Sequence, residues 1–363
     1  LNAERFFDFD KAETSYLKLV DDYPKSERRA DALYNAALAL ENTQQYEAAA
    51  KQYIRYCELF PKRDDAPQVC FRAGVAYEKM GAPQKEIQTY GTFVQRYRPN
   101  RANSDRVVEA DLKIAKAYEK LKQPREADKY YGVTVADFKK ASNEKSAPYG
   151  AEAEFQLVER EFAKFRAVQI TGDTKQQKNA IVKKATLLKT VEGKYKEILN
   201  FKQVDWTMAS LYRIGQLYQS FAESIIEAPC PGEIKKSARQ MGMTEDEVCG
   251  EYRVLLEEQA STVEDKAVVA YETAITRARE LQVVNTWTKQ TLVALNKLRR
   301  AQWPLQKDAK LYVDDRAVSK PPVVLADGKA ARREVAKSAP VQAPVPNRGE
   351  KAAEAPTETP VRQ

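Results

Sequence analysis

Residues 37–61 read ALALENTQQYEAAAKQYIRYCELFP, and this stretch decides the fold. Its second part contains Tyr46-x2-Ala49-x3-Tyr53, where x is any residue, and it ends at Pro61. Apolar residues recur every three or four positions on both sides of the polar segment TQQ, which is the spacing of one face of an α-helix. The stretch therefore predicts two amphipathic helices joined by a short turn, with the second helix stopped by proline.

The same arrangement recurs on both sides of this stretch. The full set of copies is Phe9-x2-Ala12-x3-Tyr16 with Pro24; Ala37-x2-Leu40 with the motif above; Gly74-x2-Tyr77 with Gly81, Tyr90 and Pro99; and Ala115-x2-Tyr118 with Ala127-x3-Tyr131. Small residues stand where two helices approach closely, and aromatic residues stand where they fill the space between neighbouring hairpins. The sequence therefore predicts consecutive helical hairpins.

This pattern resembles the tetratricopeptide repeat, in which a first helix (A) with a small residue and an aromatic residue packs on a second helix (B) with Ala-x3-aromatic. The period here is 37 to 41 residues, against the usual ~34. The resemblance implies an all-α fold, a tetratricopeptide-like α-solenoid of five or six helical hairpins. It also implies a protein that binds other proteins and catalyses no reaction.

The composition agrees with helices and excludes several kinds of chemistry. The 363 residues include only 13 glycines and no histidine, so imidazole acid–base catalysis and histidine-ligated metal sites are excluded. No Gly-x-Gly or phosphate-binding loop occurs. Two acidic pairs, Glu159 with Glu161 and Glu257 with Glu258, fit solvated helix faces better than catalytic dyads. We therefore predict no catalytic residue, no cofactor, no metal and no small-molecule substrate.

The charge distribution argues against a nucleic-acid partner. The 60 basic residues are interleaved with 52 acidic ones, and the net charge of +8 is not gathered into a basic block. No apolar run has the length of a transmembrane segment. Because the chain begins at Leu1, we expect a leader or a longer N-terminal segment to have been removed.

The chain divides into three predicted regions: regular repeats in residues 1–140, degenerate repeats with longer helices in 141–315, and a Pro/Ala-rich tail in 316–363. In the second region we predict helices at 151–167 and 176–201, a helix A containing Leu211-x2-Ile214-Gly215-x2-Tyr218, an irregular insertion, a long helix from Thr244 towards Leu281, and a last helix capped by Asn285. The tail has many prolines and, beyond residue 319, no aromatic residue, so we expect disorder. The sequence leaves three roles open for this tail: a tether, a docking segment, or no essential role.

Four cysteines form two local pairs, Cys57 with Cys70 and Cys230 with Cys249. In an oxidising compartment each pair would be a disulfide, and the second would hold the insertion together. Free thiols buried between helices are the alternative. The spacing does not fit a metal site.

The resemblance also implies a partner-binding groove, because in this family helix A lines the concave face. Its positions correspond here to Asp31, Tyr34, Leu38, Glu41, Asn42, Gln68, Phe71, Val75, Glu78, Lys79, Glu109, Leu112, Lys116, Glu119 and Lys120. A groove of this mixed character suits a helix or an extended peptide, although some of these residues are expected to pack within the fold. Tyr34 and Leu38 stand where the family's carboxylate clamp needs Lys and Asn, so that clamp is absent.

Two further resemblances point to the bacterial cell envelope. The phrase YPKS…ADALYNAA in residues 23–37 resembles repeats of outer-membrane assembly lipoproteins and Tol–Pal-associated coordinators. Residues 251–299 resemble tetratricopeptide proteins of the myxobacterial adventurous gliding-motility machinery. The resemblance implies a periplasmic scaffold associated with the outer membrane, with proteins of an envelope complex as partners. An outer-membrane assembly or secretion factor is the alternative, and an enzyme is the least expected.

Overall fold

The computed structural model describes residues 8–141 and 143–305, and within these ranges the chain forms thirteen α-helices. They are α1 (Phe9–Asp22), α2 (Arg29–Asn42), α3 (Tyr46–Leu59), α4 (Ala66–Met80), α5 (Pro83–Tyr97), α6 (Ser104–Lys120), α7 (Pro124–Lys140), α8 (Ala147–Ala167), α9 (Thr174–Ile198), α10 (Val204–Ile226), α11 (Gly232–Met241), α12 (Glu245–Glu280) and α13 (Thr286–Leu298). Two short 3₁₀ helices, Arg101–Asn103 and Leu199–Phe201, precede α6 and follow α9.

These helices form an α-solenoid of hairpins, which confirms the predicted fold class. From α1 to α9 each helix packs mainly on its neighbours in sequence, so that α2/α3, α4/α5, α6/α7 and α8/α9 are successive hairpins of a helix A and a helix B. Helix α1 is a B helix that packs on α2. The fifth hairpin pairs α10 with the second half of α12, with α11 between them in sequence.

Proline sets the ends of the B helices, as predicted. Helices α1, α3 and α5 end two residues before Pro24, Pro61 and Pro99. A proline disfavours the α conformation of the residue before it, and its ring cannot continue the helix. The chain therefore turns at these points into the next helix A.

A small residue of helix A lies against a tyrosine ring of helix B in the hairpins α4/α5 and α10/α12. Tyr53, Tyr90, Tyr131 and Tyr271 are all fully buried. The closest approaches are at Gly74, where an added Cβ would lie 2.4 Å from Cε1 of Tyr90, and at Gly215, where it would lie 2.3 Å from Cε1 of Tyr271. Two hairpins that lie far apart in the sequence therefore make the same contact between helix A and helix B.

The longer helices of the C-terminal half also agree with prediction, with one correction. Helices α12 and α13 begin with capping boxes at Thr244 and Asn285, in which the cap side chain and the third helical residue bond each other's backbone N–H groups. The insertion is not simply irregular, because residues 232–241 form α11, which packs on α12. Helix α11 has its own turn signals, Pro231 at its start and Gly242, with φ of 67°, at its end.

The regular and degenerate regions belong to one compact unit as far as Leu305. The predicted boundary near residue 140 is where the helices become longer. The predicted tail, residues 316–363, lies outside the described residues. Within the described ranges, no helix is both long enough and apolar enough to cross a membrane.

Candidate functional site

The surface predicted to bind a partner lies on the A helices α2, α4 and α6. We call these helices, together with the next A helix, α8, the A-helix face. Its charged residues pair mainly between consecutive repeats. The cross-repeat pairs that involve predicted groove residues are Asp31 with Arg63, Glu41 with Arg72 and Lys79, Glu78 with Lys113, Lys116 with Glu152, Lys120 with Glu86, and Glu119 with Arg160. Most predicted charged positions thus have a partner in a neighbouring hairpin.

Glu41 is the centre of the first of these contacts. Its carboxylate accepts hydrogen bonds from Lys79 Nζ at 2.7 Å, Arg72 Nε at 2.9 Å and the hydroxyl of Tyr53 at 2.7 Å. Burial raises the pKa of Glu41, but the hydrogen bonds from Lys79, Tyr53 and Arg72 outweigh burial and hold that pKa below its ordinary value. A buried carboxylate with this many donors joins α2 to α4 firmly.

The same kind of contact continues along the face. Lys113 Nζ of α6 donates to Glu78 of α4 at 2.7 Å, and Arg160 of α8 pairs with Glu119 of α6 and with Asp128 of α7. Each A helix is therefore tied to the next one by at least one ion pair. The A helices from α2 to α8 are held at a defined spacing before any partner binds.

Three predicted groove residues do not belong to an open surface. Glu41, Phe71 and Leu112 are only 7%, 8% and 3% exposed. Phe71 packs on the rings of Tyr90 and Phe93, at centroid distances of 5.2 and 5.5 Å. Leu112 belongs to the core that surrounds Tyr131. The motif spacing of the family places these positions on helix A correctly. It does not predict how each hairpin is rotated against the next, and that rotation decides which positions are buried.

The remaining predicted positions are open to different degrees. Asn42 and Gln68 are exposed, while Leu38 and Val75 are half-buried. The hydroxyl of Tyr34, also half-buried, accepts a hydrogen bond from Arg72 Nη1 at 2.9 Å. Burial raises the pKa of Glu109, and the hydrogen bond to Tyr149 and the charges of Lys113 and Arg106 offset this only in part. These residues are the part of the face that is available to a partner.

Sequence reasoning missed the basic residues that organise this face. Arg72 reaches Glu41 and Tyr34, and its guanidinium also lies 5.8 Å from the centre of the Tyr53 ring. Arg160 plays the same part between α6 and α8. Both side chains lie on an A helix, but their partners are 31 to 41 residues earlier in the chain. The sequence did contain a signal for these ion pairs, because each basic residue follows its acidic partner by about the length of one repeat.

The cysteines lie in two disulfides. Cys57 at the end of α3 is bonded to Cys70 in α4, and Cys230 before α11 is bonded to Cys249 in α12, with Cα–Cα distances of 5.7 and 5.6 Å. The first disulfide links a helix B to the following helix A. The second closes the segment that contains α11 onto the first turns of α12.

Of the two acidic pairs considered as catalytic dyads, one has structural partners and the other is exposed. Glu159 accepts hydrogen bonds from Arg213 at 2.7 and 2.9 Å and from the hydroxyl of Tyr195. Glu161 pairs with Lys164 one turn along α8. Glu257 and Glu258 are exposed on α12. In the part of the chain that the structure describes, no group of three or more Cys, Asp or Glu side chains has the arrangement of a metal site.

Comparison with known families shows which repeat this is. Residues 31–63 and 109–141 match the family model for the tetratricopeptide repeat. These two segments are tetratricopeptide repeats. They contain most of hairpins α2/α3 and α6/α7, which carry the Ala37–Tyr53 and Ala115–Tyr131 motifs. No curated protein matches the chain.

Solved structures include distant likenesses. A TPR repeats protein from Bacteroides fragilis is 16% identical, with a TM-score of 0.37, and the match covers 73% of this chain and 98% of that one. A tetratricopeptide repeat protein from Parabacteroides merdae is 12% identical, with a TM-score of 0.31, over 82% and 94% of the two chains. The TPR2AB-domain:pHSP90 complex of yeast Sti1 is 16% identical, with a TM-score of 0.30, over 73% and 94%.

Proposed function

We propose that this protein is a non-catalytic scaffold that binds a helix or an extended peptide of a partner protein on its A-helix face. The observation that carries the proposal is the series of ion pairs that joins each A helix to the next. A surface fixed in advance loses little conformational freedom on binding, so more of the contact energy appears as affinity. Tetratricopeptide repeats generally bind proteins, which agrees with this assignment.

The chemistry of the face suggests what it accepts. Leu38 and Val75 supply apolar contacts, and Asn42 and Gln68 supply exposed amide groups that both donate and accept hydrogen bonds. Most of the charged side chains are already paired within the fold. The partner segment therefore contributes apolar side chains and free backbone or amide groups, and a terminal carboxylate is not what this face recognises.

We place this scaffold in a bacterial cell-envelope complex, with the gliding-motility apparatus as the specific hypothesis. The support is the resemblance of residues 23–37 and 251–299 to envelope proteins, together with two disulfides, which persist in oxidising compartments such as the periplasm. A stable complex with a fixed set of envelope proteins is expected. A changing set of client proteins would indicate an outer-membrane assembly factor instead.

The A-helix face is tested by paired substitutions of two exposed amide side chains, Asn42 and Gln68. Gln68→Arg on α4, combined with Asn42→Arg on α2, is expected to reduce capture of the native partners about tenfold or more, since it adds two bulky charges to the proposed contact. Gln95→Arg on α5 introduces the same side chain on an exposed B-helix position and should leave capture unchanged. The measurement is crosslinking of the tagged full-length protein in its native cells, with quantitative mass spectrometry of the captured proteins. Equal loss with both variants, or no loss with either, would contradict the proposal.

The oxidation state of the cysteines tests the compartment separately. If the protein resides in the periplasm, alkylation of trapped, denatured protein should label none of Cys57, Cys70, Cys230 and Cys249 until a reductant is added. By the loop-closure model each bridge stabilises the fold by on the order of 3 kcal/mol. Reduction should therefore lower the midpoint of urea unfolding. Full labelling of protein taken directly from cells would remove the support for the periplasm and leave the A-helix face untouched.

A further inference from the structure

Two grooves lie between successive B helices, on a different surface from the A-helix face. Groove 1 is formed by α3, α4 and α5 and has a volume of about 470 Å³. Groove 2 is formed by α9, α10 and α12 and has a volume of about 680 Å³. In both, the two B helices form the walls and the helix A between them forms the floor.

The two grooves are built from equivalent positions of two repeats. The contact of Gly74 with Tyr90 corresponds to that of Gly215 with Tyr271, and this aligns α4 with α10 and α5 with the second half of α12. On that alignment Tyr77, Lys85, Gln88, Thr89 and Thr92 of groove 1 correspond to Tyr218, Lys266, Val269, Ala270 and Thr273 of groove 2. The residues at these positions of groove 1 can therefore be compared directly with those of groove 2.

Groove 1 is closed by an ion pair and has polar walls. Glu47 of α3 accepts a hydrogen bond from Lys85 Nζ of α5 at 2.7 Å, so the pair crosses from one wall to the other. The same Lys85 ammonium lies 5.6 Å from the centre of the Tyr77 ring on the floor. Gln88 and Thr89 supply amide and hydroxyl groups to the wall. A partner would have to break the ion pair to reach the floor.

Groove 2 has the same frame but is open. Glu192, the acidic residue of the α9 wall, is held on its own side by the Tyr218 hydroxyl at 2.9 Å and by Lys196 Nζ at 2.7 Å. Lys266, the counterpart of Lys85, therefore extends from the opposite wall with no acidic partner among the described residues. The ion pair that closes groove 1 is absent from groove 2.

The walls and floor of groove 2 are also more apolar. Val269 stands where groove 1 has Gln88, and Ala270 stands where it has Thr89. Leu199, Leu211 and Ile214 form the deeper surface. Val269 is 61% exposed even though it faces this apolar surface. A valine kept in water beside leucine and isoleucine gains free energy when a partner covers it.

The charges at the rim define what kind of partner fits. Glu192 is neutralised by Lys196, and Asp265 by Arg299 Nη2 at 2.6 Å. Lys266 is the one lining charge without an ion-pair partner in the described part of the chain, so it is the cation at the rim that is free to bind a carboxylate. The partner should combine apolar side chains with a carboxylate placed to reach Lys266.

We propose that groove 2 is a second docking site, which binds an amphipathic helical segment of a partner protein through apolar side chains over Val269 and an acidic side chain on Lys266. The segment lies between the walls formed by α9 and α12. This site is separate from the A-helix face and does not depend on it. A scaffold with both sites holds two partner segments on two different surfaces.

The test uses the full-length protein and a synthetic fluorescent helical peptide that has a leucine stripe flanked by glutamates. Its matched control peptide has lysine at every glutamate. Fluorescence anisotropy should show binding of the glutamate peptide to the unmodified protein. Val269→Asp should weaken that binding about tenfold or more, since it places a carboxylate in the apolar wall. Gln88→Asp, the same side chain at the equivalent exposed position of groove 1, should have no effect.

A charge exchange makes the assignment specific. Lys266→Glu should weaken binding of the glutamate peptide and strengthen binding of the lysine peptide relative to it. The Gln68→Arg/Asn42→Arg variant should bind the glutamate peptide normally, so failure of the A-helix face and failure of groove 2 are distinguishable. No binding to the unmodified protein, or unchanged binding to Val269→Asp, would overturn the proposal. A change of oligomeric state in Val269→Asp would overturn it as well, because it would assign groove 2 to a second copy of the chain.

Discussion

Gly74→Ala is expected to destabilise the protein, whereas Gly91→Ala in the next helix is expected to stabilise it. An alanine Cβ at position 74 would lie 2.4 to 2.7 Å from three ring carbons of Tyr90, closer than non-bonded carbons come. Tyr90 is fully buried, so the ring cannot move aside without displacing α5. Overpacking of this kind costs about 1–3 kcal/mol or more. At Gly91 no atom lies within 4 Å of the added Cβ, and replacing a mid-helix glycine gains about 0.5–1 kcal/mol.

Urea unfolding followed by circular dichroism measures both changes. The two variants share one chemical change and lie on neighbouring helices, so helix propensity cancels in the comparison and the ring contact remains. Gly74→Ala combined with Tyr90→Leu should recover part of the loss, since the smaller side chain makes room for the methyl group. If Gly74→Ala and Gly91→Ala shift the unfolding midpoint equally and in the same direction, the close approach does not exist in solution.

The contact between Gly74 and Tyr90 also shows why the fold was predictable. The small residue of helix A and the tyrosine of helix B each belong to a short motif whose residue types and spacing recur along the sequence. Gly215 and Tyr271 belong to the same pattern even though α11 and part of α12 separate them. Core contacts that recur in every repeat are therefore readable from one chain.

The candidate site was less predictable, because it depends on how one hairpin sits on the next. Glu41 and Glu119 were assigned to helix A correctly, but their partners Arg72 and Arg160 belong to the following hairpins. Whether a helix A position is buried, as Phe71 is, or exposed, as Gln68 is, follows from the rotation between hairpins. That rotation arises from many side-chain contacts at once, and no short motif encodes it.

Arg98→Met is expected to produce the second large loss of stability, because Arg98 serves two carboxylates at once. Its Nη2 donates to both oxygens of Asp111, at 3.1 and 3.0 Å, and its Nε donates to Asp137 at 2.8 Å. Asp111 is fully buried in α6, so removal of Arg98 leaves a carboxyl with no cation beside it. Breaking a buried pair on one side costs about 3–5 kcal/mol, and we expect about 2–3 kcal/mol here since Arg98 itself remains half exposed.

A double-mutant cycle separates the interaction energy between Arg98 and Asp111 from the effects of the two single substitutions. Asp111→Asn keeps the size of the side chain and removes the charge, so Arg98→Met should cost much less in that background than in the unmodified protein. The free energy of unfolding of all four proteins is measured in urea at pH 8. Additive losses would show that Arg98 acts through Asp137 or through packing of its aliphatic stem, and the role assigned to Asp111 would be wrong.

The pH dependence of this contact has a definite sign. Burial raises the pKa of Asp111 from 3.8 to about 7, against the lowering effect of Arg98 and with a further raising effect of Asp137. Lys140 on α7 also faces this group, through its pairing with Asp137 at 3.3 Å. Between pH 4 and 7 the folded protein therefore holds a proton on Asp111 that the unfolded chain has released, so the stability contributed by this group falls as pH rises through that window.

Asp111→Asn should remove this part of the dependence of the unfolding free energy on pH. Arg98→Met should cost more at pH 8, where Asp111 is ionised, than at pH 5. A slope unchanged by Asp111→Asn would mean that the carboxyl is already ionised throughout the window and that Arg98, more than burial, governs its titration.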